Sequence, residues 1–246
     1  MSSTLSAAII SIVNSAALQT GTAGSSHTLT SFDPGTGSSK LVVSLASEGQ
    51  GGPRTINSIT FGGVPLTAAI DATSTPNTDH RASIFYLDNP GSTPGNIVVS
   101  WGGGSANGIG LSALSLANTE PGFALVNTSG TSNSVSITTT VPDSFLVAVF
   151  VDNDPGTLMN VDAPLTPLFG GANIGSATGA AGYLQVPSPG LVTASATGGP
   201  GVREAASVAV FTPIPEPTTL TLTAFGLLLA ARYRWRRKAA AVSSRG

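Results

Sequence analysis

Short runs of apolar and β-branched residues alternate with turn-forming residues along most of this 246-residue chain. The runs are rich in Val, Ile, Leu, Thr and Phe, and Gly, Pro, Asn or Asp separates each run from the next. This pattern is typical of strands joined by tight turns. We predict a first strand over 8–13, no helix before Pro217, and further strands over 40–46, 56–61, 64–70, 82–87, 96–101, 108–116, 134–140, 145–151, 182–186, 191–196 and 206–211.

The distribution of apolar side chains within the strands indicates how they pack. Segments 135–139 and 191–196 have an apolar residue at every second position, as a sheet with one solvated face requires. Segment 145–151 is apolar throughout, which predicts a central strand covered on both faces. Strands at a spacing of roughly ten residues, with no sharp repeat period, predict one antiparallel β-sandwich, jelly-roll or immunoglobulin-like, over 1–211. The predicted core includes Val42, Ile59, Phe61, Phe85, Val99, Leu114, Phe145, Val147, Val149 and Val210.

The composition excludes several kinds of site and partner for the body, which we define as residues 1–214. Charged residues make up 9% of the chain, against about 25% in an average soluble domain. The chain has no cysteine, which excludes cysteine nucleophiles, iron–sulfur clusters and cysteine-ligated zinc. The body holds eleven acidic and four basic residues, a net charge of −7, so it lacks the cationic surface that nucleic-acid binding needs.

The C-terminal end has a different character from the body. A Pro215-Glu216-Pro217 motif is followed by an apolar stretch over 218–231 and then by a basic cluster. A stretch of fourteen residues would form a helix of roughly 21 Å. A membrane core takes about 20 residues, so this helix would be short for a membrane span. Cations after an apolar stretch favour a cytoplasmic C-terminus. We therefore predict one short transmembrane helix whose basic cluster consists of Arg232, Arg234, Arg236, Arg237 and Lys238.

These three parts, in this order, resemble the PEP-CTERM sorting signal of exported proteins in Gram-negative bacteria, which an exosortase recognises. The resemblance implies a precursor held transiently in the inner membrane, cleavage near Pro215-Glu216-Pro217, and a mature form in the cell envelope or extracellular matrix. It also implies an association with exopolysaccharide and biofilm. The expected organisation is a β-sandwich ectodomain over 1–211, a proline-rich linker over 212–217, the transmembrane helix and basic cluster over 218–238, and a tail over 239–246.

The N-terminal end fits export less well. A signal peptide begins with basic residues followed by an uninterrupted apolar segment. Here the first base is Lys40, and the apolar run over 7–13 is interrupted by Ser11. Either the true start of the protein lies upstream of Met1 or this weak segment serves for export. Because 8–13 has the character of a strand, we favour the upstream start.

One turn of the body has the composition of a cation site. Asp152 and Asp154 alternate on the turn Asp152-Asn153-Asp154-Pro155-Gly156, and closely spaced carboxylates are ligands that calcium prefers. Asp88, Asn89 and Asp162 are further candidate ligands, and the EF-hand pattern is absent. The same residues are also the ordinary residues of a tight turn, so both interpretations stay open. Calcium is the one cofactor that the sequence suggests.

Two function classes remain. The first is a non-catalytic surface or matrix protein that contacts polysaccharide, with Trp101, Tyr86 or Tyr183 as stacking platforms. The second is an exported hydrolase of matrix polysaccharide, which needs two carboxylates about 5–9 Å apart. The body has no nucleophile elbow, and its two histidines are His27 and His80. The cluster Thr78-Asp79-His80-Arg81 is the best candidate polar site, and convergence of Asp71, Asp79 and Asp88 on His80 would favour the enzyme.

Overall fold

The structure, a computed structural model, describes residues 8–49, 54–75, 78–154, 156–198 and 203–215. Residues 9–214 form one compact unit; a second unit comprises 1–8 and 215–246, of which Ala8 and Pro215 are described. Among the described residues there is no helix of the length and apolarity that crossing a membrane requires. The predicted helix over 218–238, Glu216, Pro217 and the basic cluster lie outside the described residues.

The described part of the chain is all-β, as predicted: it contains no helix, and every strand pairing in it is antiparallel. Its strands are β1 (Ser11–Thr20), β2 (Ser26–Phe32), β3 (Lys40–Gly49), β4 (Thr55–Phe61), β5 (Val64–Pro65), β6 (Thr67–Thr73), β7 (His80–Asp88), β8 (Gly95–Gly102), β9 (Ala106–Ala117), β10 (Leu125–Ser129), β11 (Ser134–Thr139), β12 (Ser144–Asp152), β13 (Asn160–Val161), β14 (Thr166–Phe169), β15 (Asn173–Ile174), β16 (Ala177–Val186), β17 (Gly190–Thr197) and β18 (Ala205–Phe211).

These strands form four sheets, whereas a single sandwich has two. A five-stranded sheet has the order β1-β9-β3-β7-β6, and a four-stranded sheet has the order β2-β8-β4-β5. A six-stranded sheet has the order β10-β18-β12-β16-β14, with β15 also on β16, and a three-stranded sheet has the order β11-β17-β13. The two halves have the same strand order: apart from β5 and β6, each strand of the first half corresponds to the strand numbered nine higher in the second half. The order β1-β9-β3-β7 thus corresponds to β10-β18-β12-β16, and β2-β8-β4 corresponds to β11-β17-β13. The body therefore repeats one topology, first over 11–117 and again over 125–211.

Three apolar clusters join the sheets and explain the burial of the central strands. One lies between the two large sheets, and each of the other two lies between a large sheet and the small sheet of the same half. Along β12, Val147 belongs to the cluster between the large sheets and Leu146 to the cluster on the opposite face. The prediction that 145–151 is covered on both faces is thus confirmed. All ten predicted core residues are buried.

Several strand predictions need correction. The predicted strand over 64–70 is two strands, β5 and β6, that belong to different sheets. The first strand runs over Ser11–Thr20 rather than 8–13, and the strand predicted over 182–186 begins earlier, at Ala177. Strands β2, β10, β13, β14 and β15 were not predicted. Strands β2 and β10 are rich in polar Ser, Thr or Asn, and β13 and β15 have two residues each.

The end of the body stays hydrogen-bonded beyond β18. The Glu120 N–H donates to the Thr212 carbonyl at 2.9 Å, and the Ile214 N–H donates to the Asn118 carbonyl at 3.0 Å. The segment predicted as a linker over 212–217 therefore begins with residues that are attached to the body.

Candidate functional site

The Asp152–Asp154 turn lies at the end of the central strand β12. Asp152 is completely buried, and its Oδ1 accepts the N–H of Asp154 at 3.1 Å. Asp154 Oδ1 in turn accepts the N–H of Gly156 at 2.8 Å. Each carboxylate thus closes a local Asx turn with one of its oxygens, which is the turn chemistry expected of these residues. Calcium binding by Asp152 and Asp154 stays a prediction.

The structure adds two residues to this turn that the sequence analysis missed. Asn133 Nδ2 donates to Asp152 Oδ2 at 3.1 Å and to Glu204 Oε1 at 3.3 Å. Asn133 Oδ1 is buried and has no hydrogen-bond partner among the described residues. We call Asp152, Glu204 and Asn133 the Asp152–Glu204 cluster. A signal for Glu204 existed, because an antiparallel pairing of the predicted strands 145–151 and 206–211 places the residues before the second strand beside the end of the first.

The two acids of this cluster, of which Asp152 is buried and Glu204 is half-buried, repel each other. Burial raises the pKa of Glu204, the charge of Asp152 raises it further, and hydrogen bonding to Asn133 opposes the shift. A bound cation would relieve this repulsion, and the buried Asn133 Oδ1 is a carbonyl oxygen of the kind that calcium takes. The described residues hold no group of three or more His, Cys, Asp or Glu side chains fit for a metal ion. Any cation here would therefore depend on amide, backbone or water oxygens as well.

The other predicted calcium ligands are engaged elsewhere. Asp88 Oδ2 accepts the N–H of Gly122 at 2.9 Å, and Asp88 Oδ1 contacts Lys40. Asp162 accepts hydrogen bonds from the hydroxyls of Ser195, at 2.7 Å, and Thr197, at 2.5 Å. Neither carboxylate is among the groups that contact Asp152.

The acids considered for a catalytic site around His80 are dispersed. Asp79 Oδ1 lies 2.9 Å from His80 Nδ1, and Asp79 Oδ2 lies 2.8 Å from Arg203 Nη1. Asp71 instead accepts a hydrogen bond from Ser83 at 2.7 Å. Asp88 ends the strand that His80 begins, β7, so the two are about 26 Å apart along the backbone at 3.3 Å per residue. The three acids therefore do not converge on His80.

His27 has a structural environment. Trp101 Nε1 donates to His27 Nδ1 at 3.0 Å, and His27 Nε2 lies 3.0 Å from the Thr22 carbonyl. Because the indole N–H is a donor only, Nδ1 is the acceptor of this hydrogen bond. Nε2 therefore carries the hydrogen and donates to the Thr22 carbonyl. Both ring nitrogens of His27 thus take part in hydrogen bonds that hold β2 to Trp101 and to Thr22.

The three aromatic residues named as sugar-stacking platforms pack against the protein itself. Trp101 is 6% exposed and belongs to a core cluster. Tyr86 meets the edge of Phe123 at a centroid distance of 6.0 Å. Tyr183 is stacked on Phe145 at 5.3 Å. Trp101 therefore presents no ring face to a polysaccharide, and one face of Tyr183 is already covered.

Comparisons with known proteins give no assignment. No protein-family model matches the chain, and a search of curated proteins finds no match. Among solved structures, the crystal structure of PBSX exported protein XepA is 8% identical, with a TM-score of 0.24 over 82% of this chain and 86% of that chain. A likeness this weak carries no argument about fold or function.

Proposed function

We propose that this chain is an exported, non-catalytic surface or extracellular-matrix protein of a Gram-negative bacterium, made as a precursor that an exosortase processes. The observation that carries the proposal is the tail sequence. Pro215-Glu216-Pro217, the apolar stretch over 218–231 and the basic cluster follow one another in the order of a PEP-CTERM sorting signal. In this proposal the inner membrane is a transient partner and the exosortase is the processing partner.

The boundary of the folded body supports this proposal. The compact unit ends at Ile214, and the Pro-Glu-Pro motif begins at the next residue. Prolines disfavour helix and keep the backbone extended, which is the form that a peptidase active site accepts. Cleavage at the motif would therefore leave the buried strands of the body intact.

The body itself is proposed to be of the β-sandwich class, jelly-roll or immunoglobulin-like. Its support is the packing of a small sheet on a large sheet across an apolar cluster in each topological half. The surface is poor in charge and rich in hydroxyl and amide groups. Such a surface suits hydrogen bonding to neutral polysaccharide, so we propose the exopolysaccharide of a matrix or biofilm as the environment of the mature protein.

The non-catalytic assignment rests on the placement of the acids. Glycoside hydrolysis needs two carboxylates that flank a bound sugar. Asp152 and Glu204 are held by the same amide nitrogen of Asn133, yet Asp152 is completely buried. Because a sugar does not reach a buried carboxylate, this pair supports a structural role better than a hydrolase.

The test exchanges both motif prolines, Pro215→Ala and Pro217→Ala, in the full chain expressed in an exosortase-containing host. We expect an uncleaved form that fractionates with the inner membrane. The matched control exchanges Pro187 and Pro189 for alanine, because these two exposed prolines of the body have the same spacing as the motif prolines. This control variant should be processed like the wild type. Release of the motif variant at the wild-type rate would refute the proposed role of the motif.

A further inference from the structure

Lys40 occupies an unusual position for a lysine. It begins β3 and is in register with Asp88, the last residue of the adjacent strand β7. The Lys40 side chain is 0% exposed, its Nζ contacts Asp88 Oδ1, and it lies 4.9 Å from the ring centre of Tyr86 and 5.6 Å from that of Phe211. Lysine is almost never fully buried unless it is paired. Here the partner is Asp88, whose side chain is 29% exposed, while the two rings lie beside Nζ.

Burial disfavours the charged form of the lysine. Burial lowers the pKa of Lys40, and the hydrogen bond and the charge of Asp88 oppose that shift. A proton passing from Nζ to the contacting Oδ1 leaves a neutral amine beside a carboxylic acid. A desolvated neutral lysine amine is a nucleophile. The second carboxyl oxygen, Asp88 Oδ2, accepts the backbone N–H of Gly122 at 2.9 Å, a donor placed as in an oxyanion hole.

We propose that Lys40 and Asp88 condense into an intramolecular amide bond that cross-links β3 to β7. Nζ attacks Asp88 Cγ, and the charge that develops on Oδ2 faces the Gly122 N–H. The Cγ–Oδ1 bond then breaks, and Oδ1 leaves as water with the proton it carried and one proton from Nζ. An amine and a carboxylic acid thus become an amide and one water molecule, with no oxidant, reductant or other co-reactant.

The second half of the body provides an internal comparison. The corresponding pair is Phe145 and Gln185, which are in register on β12 and β16. Phe145 faces the cluster between the two large sheets and stacks on Tyr183, as Lys40 lies over Tyr86. These side chains do not form an amide. The amine and carboxyl at this position therefore belong to the first half alone and are not required by the shared topology. The inference does not depend on the sorting proposal.

The cross-link changes both the mass and the tryptic map of the full chain. Under denaturing conditions, the intact wild type should weigh less than its sequence by one water molecule. The basic residues of the body are Lys40, Arg54, Arg81 and Arg203. Because trypsin does not cut after an acylated lysine, peptide 1–54 should appear joined to peptide 82–203. An intact mass equal to the full sequence mass, together with a free peptide 1–40, would overturn the proposal.

Matched variants locate the lost water. Lys40→Arg keeps the positive charge but removes the amine nucleophile, so its mass should equal the full sequence mass. Asp71→Asn changes another paired acid, one that is bonded to Ser83, and this variant should still lose one water. If Lys40→Arg also loses water, the dehydration lies elsewhere and the assignment fails. The wild-type peptide map decides the matter even if Lys40→Arg does not fold.

Discussion

Replacing Val147 with alanine should destabilise the body substantially. Val147 is fully buried on β12, is in register with Tyr183 and Ala209, and lies in the cluster between the two large sheets. The exchange removes two methyl groups, worth about 0.8 kcal/mol each in transfer free energy. The residual cavity, enclosed by strands on both sides, raises the expected loss to about 2–3 kcal/mol.

The measurement is urea unfolding of residues 1–214 with the midpoint and slope fitted separately. The midpoint should fall while the slope stays constant, because the exposed area hardly changes. Val64→Ala is the matched control: Val64 is 51% exposed, so its change should stay within about 0.5 kcal/mol. Val147→Asp would bury an unpaired carboxylate, and we expect it to prevent folding. If Val147→Asp folds normally, or Val147→Ala behaves like Val64→Ala, the inward-facing assignment of β12 is wrong.

Three further predictions concern charge. If Asp152 and Asp154 ligate calcium, millimolar calcium should raise the melting temperature by mass action, and Asp154→Ala should abolish the increment; no shift would leave only the turn interpretation. The pKa of Glu204 is raised in the folded state, so the stability it contributes is present below its unfolded pKa and is lost as the pH rises through the folded pKa. Glu204→Gln should therefore be more stable than the wild type at neutral pH, and identical pH profiles of unfolding would contradict this. With a net charge of −7, the body should not be retained on a DNA column at physiological salt, and retention would refute the exclusion of nucleic acid.

The core was predictable because it depends on side-chain pattern alone. An apolar run such as 145–151 indicates a strand covered on both faces, and the structure buries Phe145, Val147 and Val149 as expected. The duplication of the topology was not predictable in the same way. The two halves share a strand order but only short sequence matches at unequal spacing, such as Pro65-Leu66-Thr67 with Pro164-Leu165-Thr166 and Tyr86-Leu87 with Tyr183-Leu184. Short strands such as β13 and β15 have two residues each. A repeat of this kind is defined by hydrogen-bond pairing, which leaves no fixed period in the residues.

The polar sites were harder to predict, because they join residues that are distant in the chain. Glu204 and Asn133 reach Asp152 only when β12, β18 and the start of β11 meet at one end of the body. Lys40 stands at the head of an apolar strand, where a lysine normally marks a solvated strand end. Its burial comes from Tyr86 and Phe211, which belong to β7 and β18. No local pattern around residue 40 carries that information.

The sorting assignment is the central claim, and mass spectrometry of the mature protein tests it most directly. Protein recovered from the cell exterior should yield peptides from the body, including the strands that end at Phe211. It should yield no peptide from Leu220 onward, because cleavage near Pro215-Glu216-Pro217 removes the apolar stretch and the basic cluster. Wild-type protein from the cell exterior that still carries Trp235 would contradict the account.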